Sequence, residues 1–196
     1  MSDFAERYVT VDDPLRAYDD VVEAVRLLVE QTPADRFGAT TPCSDWSVRM
    51  ILDHLVETLD SYGALARGVP PAEGVLASYE DPVGTFPAMA ASTRAAFAVP
   101  GFLATVAPTP IGELPGKAVV QHVINELVVH GWDLARGSGR GGDVTPAYAD
   151  AVLRSWQAFF ADFPREELAF NFGPANPAWE SAVGTDRVAA YLGRPL

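Results

Sequence analysis

Cysteine and positive charge are both scarce in this sequence. Of 196 residues, only Cys43 is a cysteine, so no disulfide can close within the chain. Lys and Arg number 14 against 26 Asp and Glu, which gives a net charge of −12, and the cations do not cluster. Such a surface repels phosphate backbones and anionic lipid headgroups. We therefore expect neither nucleic acid nor a membrane as a partner.

Long apolar runs and an export signal are lacking as well. The longest uncharged stretch, residues 95–112, is interrupted by Pro100, Pro108 and Pro110. A membrane-spanning helix of about 20 apolar residues does not tolerate such a series of prolines. The start, Met-Ser-Asp-Phe-Ala-Glu-Arg, has neither the basic nor the apolar region of a signal peptide. Together with the single cysteine, these features predict a cytoplasmic protein.

Prolines and glycines separate amphipathic segments in which apolar residues recur at spacings of three and four, the pattern of helices. The predicted helices cover residues 14–31, 47–67, 82–99, 116–135, 145–160 and 185–192. No strand alternation is found, so the predicted fold class is all-α, a four-helix bundle with an additional C-terminal helix and a wrapping tail. We expect a single domain over residues 1–196, with the core bundle over 14–163 and the wrap with its short helix over 164–196. In such bundles, metal and ligand sites form between facing helices.

The three histidines lie on two of the predicted helices, His54 on the second and His122 and His130 on the fourth. At about 100° per residue, four polar groups of the fourth helix fall within an arc of about 80°. These groups are His122, Glu126, His130 and Asp133. Valines share the arc, so the polar groups are buried and need partners. A divalent metal ion can satisfy several of them at once.

Three of these residues suit one metal ion. His54 borders the apolar stripe of its helix, away from Asp53, Glu57 and Asp60, and should point inward. Glu126 and His130 are four residues apart, which places both on one face. Two imidazoles and one carboxylate leave a fourth position open, as in catalytic zinc sites.

Other readings of the neighbouring residues stay open. Four roles are open for His122: a metal ligand in place of Glu126, a hydrogen-bonding neighbour of a ligand, a proton relay, or a half-exposed histidine without a role. Asp133 either orients a ligand imidazole or pairs with Arg136. Cys43 is an activated nucleophile or an inert apolar side chain, and we expect it at one end of the bundle, away from the ion.

Two further features have structural alternatives. The two alternatives for Trp46 and Trp132 are that they line a pocket or that they pack in the hydrophobic core. The glycine-rich loop over residues 137–142 lacks the Gly-Lys-Ser/Thr of a phosphate loop and a preceding strand, which argues against a nucleotide site.

Four segments carry a resemblance to a known family. They are Thr-Pro-Cys-Ser-Asp-Trp-Ser-Val at 41–48 with Asp-His-Leu at 53–55, Glu-Leu-Val-Val-His-Gly-Trp-Asp-Leu-Ala at 126–135, Phe-Gly-Pro at 172–174 and Leu-Gly-Arg-Pro at 192–195. The chain resembles the DinB-like superfamily of metal-binding four-helix bundles, and within it the actinobacterial branch of the mycothiol-dependent maleylpyruvate isomerase N-terminal domain. The three metal ligands of that family fall on His54, Glu126 and His130.

The resemblance implies a metal-dependent enzyme. A divalent ion, most simply Zn²⁺, would activate mycothiol or a similar low-molecular-weight thiol for transfer to, or isomerisation of, an electrophilic small molecule. The isomerase has a separate C-terminal domain that contributes to catalysis, whereas here residues 164–196 follow the fifth predicted helix. We therefore expect a thiol transferase rather than an isomerase of maleylpyruvate.

Two alternatives to thiol chemistry are retained. One is a metal- or ligand-binding bundle without turnover, and the other is a metal-assisted hydrolase that needs no thiol. The sequence also leaves open the electrophile and the oligomeric state, with a homodimer among the alternatives.

Overall fold

Helices dominate the computed structural model, which describes residues 3–69, 78–109, 112–141, 143–168 and 172–196. In chain order the helices and strands are α1 (Asp3–Tyr8), α2 (Pro14–Glu30), α3 (Val48–Ala66), α4 (Pro82–Phe97), β1 (Val106–Thr109), β2 (Gly112–Pro115), α5 (Gly116–Gly137), α6 (Pro146–Asp162) and α7 (Gly184–Tyr191). Short 3-10 turns lie between several of them. Part of the predicted loop between α3 and α4, residues 70–77, lies outside the described residues, as does Gly142 of the glycine-rich loop.

The starts of the long helices follow from local chemistry. Asp13, Ser47 and Asp81 each accept a hydrogen bond from the backbone N–H three residues later and so cap α2, α3 and α4. Proline in the first turn of α2, α4 and α6 supplies a backbone angle already suited to a helix. The six predicted helices are confirmed, with small shifts at their ends. Thr145, the first residue of the predicted helix over 145–160, precedes α6, and its hydroxyl makes no capping hydrogen bond to that helix.

Four long helices form the bundle that positions the site. α2 and α3 each pack against α4 and α5, while α6 and α7 pack on α5 from outside. α5 is the most buried of them, with 18 of its 22 residues inside the protein. The predicted all-α bundle is confirmed, and its central helix is the one that carries the arc of polar groups.

Three short elements, β1, β2 and α1, were not anticipated. The expectation that no strand would form is wrong, because β1 and β2 pair as an antiparallel hairpin from Val106 opposite Pro115 to Thr109 opposite Gly112. Prolines within and beside these strands interrupt any alternation, and a two-stranded sheet consists only of edge strands, where proline is tolerated. α1 was missed because its six residues are too few for a helical period to be recognised.

The C-terminal segment folds back onto the bundle through a glycine turn. Gly193 has φ +89°, in the left-handed region that favours glycine. A Cβ at this position would lie 2.9 Å from the carbonyl oxygen of Pro174. Beyond the turn, the backbone N–H of Arg194 donates to the carbonyl of Ala189. The turn therefore directs the side chain of Arg194 toward α5.

The wider organisation of the chain stays partly a prediction. Residues 169–171 of the predicted wrap lie outside the described residues, and the single domain over 1–196 stays a prediction. Within the described ranges, no helix is both long enough and apolar enough to cross a membrane.

Candidate metal and ligand site

His54, Glu126 and His130 converge between α3 and α5. One oxygen of Glu126, Oε2, lies 3.2 Å from His54 Nε2 and 3.5 Å from His130 Nε2. The two imidazole rings meet edge to face, with centroids 4.7 Å apart. The three side chains offer ligand atoms that all lie within 4.8 Å of one another. Packing of α3 against α5 brings in His54, and the spacing of one helical turn aligns Glu126 with His130.

The outer nitrogens of both imidazoles face carboxylates. His130 Nδ1 lies 3.1 Å from Asp133 Oδ2, and His54 Nδ1 lies 3.9 Å from Glu57 Oε2. Burial disfavours the charged form of Asp133, but hydrogen bonding to His130 and the charge of Arg194 outweigh it and lower the pKa of this carboxyl. An ionised carboxylate can only accept, so His130 Nδ1 carries the proton and donates it. This leaves His130 Nε2 as the nitrogen able to bind a metal beside Glu126.

Glu126 and the imidazole of His54 shift each other's pKa values. Burial raises the pKa of Glu126, but its bonds to His130 and His54 prevail and keep that pKa well below the usual value. Burial lowers the pKa of His54, yet Glu126 and Glu57 together raise it to about 9. In the metal-free protein, His54 is therefore the proton-bearing partner of Glu126. A metal ion would have to displace that proton.

The geometry fits a small divalent ion. Two atoms that each bind a tetrahedral ion at about 2.0–2.1 Å lie about 3.4 Å apart. The observed separations of Glu126 from the two imidazole nitrogens are 3.2 and 3.5 Å. Two nitrogens and one carboxylate oxygen also match the ligand types of catalytic zinc sites, in which a fourth position takes water or substrate.

A cavity of about 820 Å³ adjoins these three residues. Its wall combines the loop over 42–46, residues of α3 and α5, Trp156 of α6, and the tail at 172–173 and 192–194. The ring of Trp46 stacks on His130, with centroids 5.4 Å apart and planes 16° apart. The cavity has the size of a small-molecule site, and a molecule bound in it would lie beside the candidate metal centre.

Comparison with known proteins decides the family. Residues 18–135 match the family described as the mycothiol maleylpyruvate isomerase N-terminal domain. The chain belongs to this family. Two Mycobacterium tuberculosis proteins, from strains CDC 1551 / Oshkosh and H37Rv, are each 30% identical to it over 188 residues, which cover 94% of this chain and 99% of theirs. Both are described as uncharacterized proteins. No solved structure matches significantly.

Membership of the family confirms the predicted resemblance and agrees with the DinB-like bundle. The matched segment begins in α2 and ends in α5, so it contains His54, Glu126 and His130. The tail that completes the cavity lies outside the matched segment. Binding of a metal by these residues stays a prediction.

The structure contradicts the expected position of Cys43. Its thiol does not lie away from the site but forms part of the cavity wall. Cys43, His130 and Asp133 even form a second group whose potential ligand atoms lie within 4.8 Å of one another. A turn explains the error: the N–H of Trp46 donates to the carbonyl of Cys43 at 3.1 Å, and Asp45 within it has φ 66°. The turn folds the loop over His130 instead of letting it extend past the helix end.

His122 stands apart from the metal candidates. Its Nδ1 lies 2.8 Å from the hydroxyl of Tyr8, and its ring centroid is 5.1 Å from that of Tyr62. Burial lowers the pKa of His122 despite the charge of Glu126. His122 is therefore a neutral, hydrogen-bonded residue next to the centre, and none of the metal-ligand groups among the described residues includes it.

Two alternatives on α5 are also resolved. Asp133 does not pair with Arg136, because Arg136 reaches Asp186 at 2.8 Å. Instead Asp133 contacts His130 and Arg194. Trp132 does not wall the cavity, and its indole N–H donates to Asp186 at 2.6 Å.

Sequence reasoning missed several residues at the cavity. Glu57, expected on the solvated side of α3, lines the cavity and faces His54. Arg194 and Trp156 line the cavity from the tail and from α6. A helical period could have found Glu57, which lies one turn from His54. Arg194 lies in the Leu-Gly-Arg-Pro segment that carries the family resemblance, although its place at the cavity was not expected, and no local pattern marks Trp156.

Proposed function

We propose that the chain is a metal-dependent enzyme that activates a low-molecular-weight thiol, such as mycothiol, for reaction with an electrophilic small molecule. His54, Glu126 and His130 would hold the ion, with zinc the simplest choice. One observation carries the proposal: a single carboxylate oxygen of Glu126 lies 3.2 and 3.5 Å from two imidazole nitrogens. A divalent ion held there would supply a lowered thiol pKa at its open position.

The residues around the centre have separate tasks in this proposal. Asp133 holds the His130 ring through Nδ1, and Arg194 balances the charge of Asp133 from the tail. Trp46 packs flat on His130 and restricts its rotation. A ligand imidazole with a fixed ring and a fixed proton needs less reorganisation when it binds an ion.

The cavity supports a reaction between small molecules. At about 820 Å³ it has room for a thiol and a compact electrophile together. The proposed partners are accordingly a small thiol and an electrophile, not nucleic acid or a membrane, in the cytoplasm. The proposed reaction is transfer of the thiol to the electrophile or thiol-dependent isomerisation of the electrophile.

Metal analysis and a thiol-dependence assay test the proposal together. The purified chain should contain about one equivalent of a divalent ion, and chelation should abolish consumption of chloro-dinitrobenzene or maleylpyruvate in the presence of mycothiol. Glu126→Gln should lose the ion, whereas the exposed Glu113→Gln serves as a matched control and should keep it.

Three results would refute parts of this proposal. Full metal content in Glu126→Gln would remove the assigned centre. Turnover at the same rate without any thiol would favour metal-assisted hydrolysis. A loaded protein that binds thiol but consumes no electrophile would favour a binding protein without turnover.

A further inference from the structure

Side chains of opposite charge are unevenly represented in the wall of the cavity. Three carboxylates line it, those of Asp45, Glu57 and Glu126. Among the described residues of the wall, Arg194 is the one lysine or arginine. Whether the cavity attracts or repels a charged ligand depends on which of these charges are already paired.

Arg194 is already engaged with groups of the protein. Its Nη2 lies 3.2 Å from Asp133 Oδ2, and its Nε donates to Asp133 Oδ1 at 3.4 Å. Its Nη1 donates to the carbonyl of Leu192 at 3.5 Å. Arg194 and Asp133 are therefore neutral as a pair, and most donors of the guanidinium are in use. The wall offers no free cation to hold an anionic ligand.

The charge of Glu126 is also compensated at the candidate metal centre. In the metal-free protein, the proton-bearing His54 lies 3.2 Å from Glu126. If a divalent ion and a thiolate are bound instead, the thiolate and Glu126 together carry two negative charges, which balance the ion. The centre is therefore close to neutral in both states.

Asp45 and Glu57 are left without a matching cation. Within the described ranges, neither carboxylate forms an ion pair with a lysine or arginine, and Glu57 faces His54 Nδ1 at 3.9 Å. Asp45 is exposed and Glu57 is half-buried. The net charge of −12 on the whole chain gives a surrounding field of the same sign. A ligand in the cavity consequently meets a negative field.

The remainder of the wall is largely apolar. It includes Pro42, Trp46, Val129, Trp156, Phe172 and Leu192. Such a surface favours an apolar ring or chain. A carboxylate that moved from water to this surface would lose hydration without gaining a cation, which is unfavourable.

We propose that the electrophile taken by this cavity is an uncharged or cationic compound with an apolar body, and that Asp45 and Glu57 determine this specificity by repelling carboxylates. The inference rests on the proposed function, because it names the class of electrophile that would react with the thiol. Dicarboxylates such as maleylpyruvate, after which the family is named, are accordingly poor ligands of this chain.

Three probes of one shape test the sign and the size of the effect. Meta-substituted dinitrobenzylamine is cationic at neutral pH, the corresponding dinitrobenzamide is uncharged, and the dinitrobenzoate is anionic. All three lack a leaving group, so they bind without reacting. Equilibrium dialysis measures their affinity for the full chain after addition of zinc and excess ethanethiol, an uncharged thiol.

The expected order of affinity follows from the two carboxylates. One partly exposed carboxylate changes the affinity for a charged group by about two- to fivefold. The amide should therefore bind on the order of tenfold more tightly than the benzoate, and the amine at least as tightly as the amide. Added salt should reduce these differences, because mobile ions screen partly exposed charges.

Two substitutions assign the effect to particular residues. Asp45→Asn and Glu57→Gln should each raise the affinity for the benzoate about two- to fivefold and leave that for the amide unchanged. Asparagine also tolerates the φ of 66° at position 45. Unchanged binding of the amide shows that the cavity of each variant is intact.

Matched controls remove carboxylates elsewhere on the surface. Asp12→Asn and Glu113→Gln each delete an exposed charge that does not line the cavity. Both should leave the ratio of the amide and benzoate affinities as in the wild type. A change in this ratio as large as in Asp45→Asn and Glu57→Gln would show that overall charge, not these two residues, determines the preference.

The outcomes separate this inference from the proposed function. The inference is overturned if the wild type binds the benzoate as tightly as the amide, if Asp45→Asn and Glu57→Gln both leave the ratio unchanged, or if no probe binds. None of these readouts needs turnover. Absence of zinc or of thiol-dependent turnover refutes the proposed function, and a preference against the benzoate would then still support selection by Asp45 and Glu57.

Discussion

Arg194 reaches across from the C-terminal tail to Asp133 near the C-terminal end of α5, with Nη2 3.2 Å from Oδ2. Asp133 is fully buried and Arg194 is 8% exposed. Since Asp133 also holds His130, the ion pair joins the tail to the candidate metal centre. The tail is therefore part of the site and not only a cover on the bundle.

The first prediction concerns this ion pair. Arg194→Met should lower the free energy of unfolding by about 3–5 kcal/mol, because it leaves a buried carboxylate without its cation. Urea denaturation measures the change. Arg94→Gln is the comparison: its pair with Asp19 is half exposed, so its loss should cost about 0–1 kcal/mol. Equal effects of the two substitutions would contradict the assignment of a buried ion pair.

The second prediction distinguishes the two histidines of α5. His130→Gln should lose the metal, and His122→Gln should retain about one equivalent. The reason is geometric, since His122 and His130 lie two turns apart, about 12 Å along the helix, and His122 is engaged with Tyr8. Elemental analysis of both variants decides the question. Loss of metal from His122→Gln alone would exchange the roles of the two histidines.

The third prediction concerns the residue that orients His130. Asp133→Asn should weaken zinc binding by about 10- to 100-fold, the usual effect of removing the carboxylate behind a ligand imidazole. Competition with a chromophoric chelator measures the affinity of the folded variant. Asp186→Asn is the control, because Asp186 contacts Arg136 and Trp132 away from the cavity. An unchanged zinc affinity in Asp133→Asn would show that His130 needs no such support.

The helical period explains why much of the candidate centre could be predicted. Glu126 and His130 are placed together by one turn of α5, and His54 by its border position on an amphipathic helix. These relationships depend on local geometry, which a sequence displays directly. The proximity of the three residues in the structure follows once α3 packs against α5.

The remainder of the cavity depends on contacts between distant segments. Arg194 enters only because the turn at Gly193 returns the tail to α5, and Cys43 because the turn ending at Trp46 folds its loop over His130. Trp156 looks like an ordinary apolar position of α6 until the cavity beside it is known. Cys43 and Arg194 belong to segments that carry the family resemblance, but neither a helical period nor a motif shows that these segments meet at His130 and Asp133.

The last prediction separates the cavity cysteine from the chemistry. Burial raises the pKa of the Cys43 thiol to about 11, and the nearby cation of Arg194 only partly offsets it. A raised pKa leaves the neutral thiol dominant at neutral pH, and only the thiolate is nucleophilic. Alkylation by iodoacetamide should therefore be slow at neutral pH and should accelerate about tenfold per pH unit until the thiol ionises. N-acetylcysteine, measured in parallel, should reach its plateau at a lower pH.

The same reasoning makes Cys43 dispensable for turnover although it lines the cavity. Cys43→Ala should keep its metal and its mycothiol-dependent activity, because an added thiol ionised at the metal centre supplies the nucleophile. The assay compares Cys43→Ala with the wild type, each with and without mycothiol, against maleylpyruvate and chloro-dinitrobenzene. If Cys43→Ala abolishes turnover while metal content and fold are unchanged, the protein's own thiol is the nucleophile. If its metal content falls as well, Cys43 joins His130 and Asp133 as a ligand. Fast alkylation at neutral pH would support the first of these alternatives and slow alkylation the second, so the two measurements on Cys43 decide between them.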